Sequence, residues 1–262
     1  MILPRVLLVP SRVTLLLDEH RGHQTPMLDA IGAESIRLGA AGPAIIVALS
    51  ARWHGHGPFL VDEGRRHQTI TDYSGFGVEV RYDCGGHPGL ARALAEAGQA
   101  AGLRVATAVR GIDSGISVPL HFLARSRRQP VVPLGLGDHP PDACRRWGEV
   151  LRTTLEARPE RIAFIVGGLL SNNEHEWNLK RPVPEADTLD ESVLGALRAG
   201  AWESLHAQPR AVMTRAMPEA DLRHLDVIRG FVGEAARGEV LAYEAGQGVG
   251  AALVAFDLPA RG

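Results

Sequence analysis

Three short apolar runs constrain this chain most. Residues 2–9 (ILPRVLLV), 44–49 (AIIVAL) and 161–166 (RIAFIV) are rich in β-branched residues and show no apolar/polar alternation, the pattern of strands buried on both faces of a sheet. Strands of that kind need covering helices, and the intervening sequence supplies them. Met27, Ile31, Ile36 and Leu38 recur at roughly helical spacing between the first two runs, so the chain opens β-α-β. Residues 90–101 (LARALAEAGQAA) are strong helix formers stopped by Gly102, with a strand expected over 103–109. A strand over 130–136 and a helix over 141–157 precede the run at 161–166. Helical stretches follow around 190–199, 211–217 and 222–237, then strands over 240–243 and 251–257, while 54–83 and 171–184 look irregular. The expected fold is α/β, a single domain over 1–262 in three α/β/α layers with a mixed central sheet.

Composition excludes several function classes. The chain has 28 Lys+Arg against 30 Asp+Glu, a formal net charge of -2, so no global field favours nucleic acid or an anionic membrane. The N-terminal apolar run is far shorter than the ~20 residues of a membrane span and carries no cleavage-site pattern. Cys84 and Cys144 are the only cysteines and have no metal-like spacing, which fits free thiols in a reducing cytoplasm. Lys180 is the only lysine, a compositional bias to which no function attaches.

In an open α/β sheet the loops leaving the carboxyl ends of strands build the binding crevice, which selects the segments after Val9, Leu49 and Val166. Those segments read Val9-Pro10-Ser11-Arg12, Leu49-Ser50-Ala51-Arg52-Trp53 and Gly167-Gly168-Leu169-Leu170-Ser171-Asn172-Asn173. With Asp72-Tyr73-Ser74-Gly75-Phe76, Gly86-His87-Pro88-Gly89-Leu90-Ala91, Arg110-Gly111-Ile112-Asp113-Ser114-Gly115 and Val118-Pro119-Leu120, they resemble, in order, the class III extradiol ring-cleavage dioxygenases. That group includes the β subunit of protocatechuate 4,5-dioxygenase.

The resemblance implies a ferrous iron held by a histidine after the first strand, a histidine in a Ser-Ala-His-Trp-like motif after the second, and a late carboxylate. Here the first two positions are Arg12 and Arg52, whose guanidiniums stay protonated and offer no lone pair. The late carboxylate aligns with Asp226 in His224-Leu225-Asp226. The family's proton-handling histidines correspond to Ser114 and Asn172, neither of which titrates near neutrality. Trp53, Asp113, Pro119 and the glycines around them remain. A degenerate iron site is therefore expected, in a non-catalytic subunit without a cofactor that pairs with an active homologous chain or with itself. Leu8-Val9-Pro10, Val166-Gly167-Gly168-Leu169, Val240-Leu241-Ala242-Tyr243 and Gly248-Val249-Gly250-Ala251-Ala252 are similar to the non-catalytic α subunit of 2-aminophenol 1,6-dioxygenase.

Two other readings stay open. A relocated Fe(II) site from His54, His56 and Asp226 would keep the chain an active ring-cleaving enzyme, since His54 and His56 alternate and would share one side of a strand. Alternatively, Arg12 and Arg52 line an anion-binding pocket with Asp113 and Asp226 near it, since the arginine fork matches carboxylate and phosphate. The expectation is instead that Asp18, Glu19, Asp113 or Asp226 neutralises them, because a buried arginine needs a partner with or without ligand. Gly246 to Gly250 lies between two strands and so lacks the strand-to-helix context of a phosphate loop. Ser11, Ser50 and Ser171 sit at strand ends, but none is in a nucleophile-elbow pattern with a matched base.

Overall fold

The computed structural model describes residues 1–258. In chain order the elements are β1 Arg5–Val9, α1 Thr14–His20, α2 Pro26–Ala41, β2 Ile45–Ser50, β3 Phe59–Asp62, β4 Arg66–His67, β5 Cys84–Gly85, α3 Pro88–Ala100, β6 Val105–Ala108, α4 Ser114–Leu123, β7 Val131–Gly135, α5 Pro141–Glu156, β8 Ile162–Gly167, α6 Glu174–Asn178, α7 Pro184–Ala199, α8 Arg210–Ala216, α9 Arg223–Val232, β9 Glu239–Gly246 and β10 Val249–Asp257. Short 3₁₀ turns occupy Trp202–His206 and Glu219–Leu222.

Among the described residues, eight strands form one mixed sheet in the order β6-β3-β7-β2-β8-β1-β10-β9. The four central strands, β7, β2, β8 and β1, run parallel, whereas β3 and β10 run antiparallel to their inner neighbours. Side-chain alternation splits the core between the two faces. Val6, Leu8, Ile45, Val47, Leu49, Phe164 and Val166 face a layer holding Leu94, Trp147, Leu189 and Phe231 of α3, α5, α7 and α9. Leu7, Val9, Ile46, Ala48 and Ile165 face Leu16, Met27, Ile31 and Leu120 of α1, α2 and α4. The three-layer expectation therefore holds, and the uninterrupted apolar runs are explained by burial on both sides.

Helix starts follow local chemistry. Thr25 accepts from the Leu28 N–H at 3.2 Å and His87 Nδ1 from the Leu90 N–H at 3.0 Å, each followed by proline at the first helical position. Left-handed Gly42 and Gly200 end α2 and α7.

Both segments expected to be irregular carry regular structure, and a helix the sequence did not announce is added. Within 171–184 lies the short helix α6 Glu174–Asn178. The segment 54–83 is not wholly irregular, because Phe59–Asp62 enters the sheet between β6 and β7. Buried Asp62 pins its end: burial opposes ionisation there, but His67 and the N–H groups of Gly111, Arg110 and Gly64 hold the carboxyl down at about 2. Residues 114–123 form a helix, α4, buried on nearly every side and containing Pro119, a segment with no polar stripe to announce it. Cys84 and Cys144 are free and buried. No helix among the described residues is long and apolar enough to cross a membrane.

Candidate functional site

The parallel strands β1, β2 and β8 end side by side, and their exits deliver Arg12, Arg52 and the segment from Gly168 to Asn173 to one crevice. Antiparallel β10 begins at the same edge with Val249. Arg12, Arg52, Asp72, Tyr73, Phe76, Leu169, Asn172, Glu174, Trp177 and Val249 are among the residues lining a cleft of about 280 Å³ there. This is the carboxyl-end location expected of an α/β binding site.

Arg52 is held by two carboxylates. Its Nη2 donates to Glu174 Oε1 at 2.7 Å, and its Nε lies 3.6 Å from Glu219 Oε1. Glu219 is 3% exposed, and its other oxygen accepts the Leu169 N–H at 2.5 Å. Burial pushes this carboxyl up to about 7, against the pull of Arg52. The backbone fixes it there: the Glu219 N–H donates to the Leu170 carbonyl at 2.9 Å. Ala220, Asp221 and Leu222 then adopt left-handed φ of 49°, 50° and 63°. Each such non-glycine residue costs roughly 1–2 kcal/mol, a strain that surrounding structure must hold in place.

Arg12 is held more loosely. Its Nη1 is 3.6 Å from Glu244 Oε2, and its buried Nε has no hydrogen-bond partner among the described residues. A Cβ added at Gly246 would sit 3.0 Å from Arg12 Nη2. The glycine run before β10 thus makes room for the guanidinium and, as expected, is the turn between two strands.

Behind the cleft lies a closed polar network. Asp113 accepts from Ser50 Oγ at 2.8 Å and from Arg110 Nη1 at 2.8 Å, while Ser50 Oγ accepts the Trp53 N–H at 3.1 Å. The Arg110 guanidinium stacks on Trp53 at 4.7 Å. Asp113 is buried behind the cleft and does not line it. Ser114, at the start of α4, donates through its N–H and Oγ to Asp72 at 3.1 and 3.0 Å, tying the 72–76 loop down. Asn172 does line the cleft, with its Oδ1 buried and unpartnered among the described residues.

The arginines pair with none of the carboxylates expected for them. Asp18 faces His23, Glu19 binds His121 and Arg125, Asp113 binds Arg110, and Asp226 accepts from His206 Nε2 at 2.9 Å. Asp226 is therefore a correction. It lies in the first turn of α9 beside Asp142, Arg145 and His206 in a separate surface cleft. Glu219, seven residues earlier, is the carboxylate that reaches Arg52, from a buried position behind the cleft lining. Nor do His54, His56 and Asp226 converge. His54 Nδ1 donates to the Ala51 carbonyl at 2.7 Å, and fully exposed His56 lies 3.2 Å from Asp138. Among the described residues no group of three or more His, Cys, Asp or Glu is arranged to hold a metal ion. His224, missed by the sequence argument, packs beneath Gly168, where burial pushes its ring down to about 3 and keeps it neutral.

The hydrogen bond between Asp226 and His206 gives the His206 ring a pH signature. That bond raises the His206 pKa above 6.5, with burial opposing. A folded-state pKa above the unfolded one gives stability that is full below the unfolded value and fades as pH rises through the folded value. His206→Gln is expected to remove that decline above about pH 6.5, seen as a flatter melting-temperature profile; an unchanged profile would mean the pair contributes nothing.

A family model described as the catalytic LigB subunit of aromatic ring-opening dioxygenase matches residues 9–254. Among solved structures, the crystal structure of an uncharacterized protein, JW3007, from Escherichia coli K12 aligns with a TM-score of 0.70 and 17% identity, covering 98% of this chain and 100% of that one. At that identity the likeness speaks for the fold. No curated protein matches the chain.

Proposed function

Because the chain belongs to the family of the catalytic LigB subunit of aromatic ring-opening dioxygenase, we propose that it is a cytoplasmic member that has given up ring cleavage and serves as a non-catalytic subunit. The observation that carries this is the pairing of strand-end Arg52 with buried Glu219 from the turn before α9. A ferrous site of this family needs imidazoles and an available carboxylate; here the two strand-end positions are the permanent cations Arg12 and Arg52, and Arg52 itself engages the carboxylate of Glu219. These residues do not fit iron. The guanidinium of Arg52 instead supplies the positive charge that buried Glu219 requires. Ser114 and Asn172 hold hydrogen bonds or line the cleft but carry no proton between pH 5 and 8. What survives is the scaffold, consistent with a chain that pairs with an active homologous subunit or with a second copy of itself. The two free, buried thiols are compatible with a reducing compartment.

Anaerobic incubation with Fe(II), desalting and metal analysis test this, together with oxygen uptake on catechol and 2-aminophenol. No stoichiometric iron and no ring cleavage are expected; one equivalent of iron with turnover would overturn the reading. Co-expression with a family chain that keeps its histidines should give co-elution, or the chain alone should elute as an oligomer. A strict monomer in both cases would overturn the subunit role. The Arg12→His, Arg52→His double variant is expected to remain inactive on both substrates, because positions 114 and 172 still lack a proton carrier. Measurable ring cleavage by that variant would mean the ligand positions alone limit the chemistry.

The second reading, a small-molecule binding chain, is favoured by one specific feature: the incompletely paired Arg12 at the cleft wall.

A further inference from the structure

The two arginines of the cleft differ in how far the protein satisfies them. Arg52 has a short hydrogen bond to Glu174 and the charge of Glu219 beside it. Both are enclosed, at 18% and 21% exposure, and the Nε of each is buried without a hydrogen-bond partner among the described residues; what sets Arg12 apart is its fork, whose nearest carboxylate, Glu244, lies 3.6 Å away, beyond hydrogen-bond distance. A guanidinium cannot neutralise itself by losing a proton, so one this enclosed is stabilised by an anion that reaches its fork.

The rest of the lining limits which anion that is. Tyr73 meets Phe76 edge-on at 6.3 Å, and Phe76 lies 5.9 Å from Trp177, so one wall consists of aromatic rings suited to a flat apolar body. A volume of about 280 Å³ lies just below the roughly 300–1,000 Å³ of typical small-molecule sites, which restricts the occupant to single-ring size. The lining side chains Arg12, Arg52, Asp72 and Glu174 sum to no net charge, so selectivity rests on the one fork left open and not on a diffuse field.

We propose that this cleft binds a small aromatic monocarboxylate as a ligand that is not turned over, its carboxylate on Arg12 and its ring against Phe76 and Trp177. Recognition is through the carboxylate, with no requirement for vicinal ring hydroxyls. This inference rests on the reading that the strand ends do not form an iron centre. Glu244 is the built-in competitor for Arg12, and a bound carboxylate displaces it.

Titration calorimetry on the full chain with benzoate tests the proposal, with benzamide and inorganic phosphate as comparisons. Saturable benzoate binding is expected, about tenfold or more weaker for benzamide, which has the ring without the charge, and for phosphate, which has the charge without the ring. Arg12→Gln should weaken benzoate at least about tenfold, and Glu244→Gln should tighten it by about two- to fivefold by removing the competitor. If Arg12→Gln fails to fold, Glu244→Gln decides the matter, since unchanged affinity there would overturn the proposal. So would the absence of saturable benzoate binding, or phosphate binding as tightly as benzoate. The two readings fail separately: iron uptake with ring cleavage sinks the non-catalytic assignment, whereas an iron-free chain that ignores benzoate sinks only this one.

Discussion

Replacing Arg52 with alanine is expected to destabilise the protein by about 2–3 kcal/mol at pH 8 and by much less at pH 5. Breaking a buried ion pair by removing one partner costs ~3–5 kcal/mol; the lower figure here reflects an Arg52 side chain that is 21% exposed and a partner able to escape by taking a proton. The sign follows from Glu219. Its carboxyl goes from 4.5 to about 7 on folding, so between those values the folded chain holds a proton that the unfolded chain has lost. Stability therefore falls as pH rises from about 4.5 to about 7, by on the order of 3 kcal/mol for this group alone. Removing Arg52 deletes the main influence holding the value down, so the decline should run on to higher pH. Arg52→Ala combined with Glu219→Gln should recover most of the loss, because the amide oxygen still accepts the Leu169 N–H while no charge is buried. Urea melts of the wild type and the variants at pH 5 and pH 8 measure all of this. Equal stability loss at both pH values in Arg52→Ala would show that Glu219 does not titrate against Arg52.

That ion pair also marks where sequence reasoning reached its limit. Arg12 and Arg52 were legible because each directly follows a strand recognisable by its doubly buried run, Arg5–Val9 and Ile45–Ser50. Their carboxylate was not. Glu219 is brought to Arg52 by a turn through Ala220, Asp221 and Leu222, three ordinary L-residues held at positive φ, and no residue preference announces such a turn because only tertiary packing stabilises it. Asp226, on an evident amphipathic helix, was the more conspicuous candidate, but α9 points it at His206. Helix α4 was missed for a related reason. Its sequence SGISVPLHFL is apolar nearly all round and contains a proline, because it is buried between the sheet and α2, so the polar stripe that identifies a surface helix is absent. The β3 strand, four residues long, offered too short a run to separate from loop.

The position of α9 on α5 depends on two glycines whose role no helical periodicity displays. A Cβ at Gly148 would lie 2.1 Å from the Val227 carbonyl oxygen, and one at Gly230 would lie 1.8 Å from the Arg145 carbonyl oxygen. Both obstacles are backbone, so no rotamer change relieves them and the helices must separate. Gly148→Ala or Gly230→Ala is expected to cost about 3 kcal/mol or more, at the upper end of overpacking effects and well beyond the ~1 kcal/mol that alanine returns as helix propensity. Gly195 in α7 supplies the control, since a Cβ there meets nothing within 4 Å; Gly195→Ala should be neutral or stabilising by up to ~1 kcal/mol. The consequence extends to the cleft, because α9 begins at Arg223, directly after the left-handed turn that presents Glu219. A displaced α9 pulls on that turn and loosens the carboxylate from Arg52 and from the Leu169 N–H. Gly230→Ala should therefore also shrink the stability change between pH 5 and pH 7 that Glu219 contributes, whereas a purely local packing defect would lower stability equally at every pH.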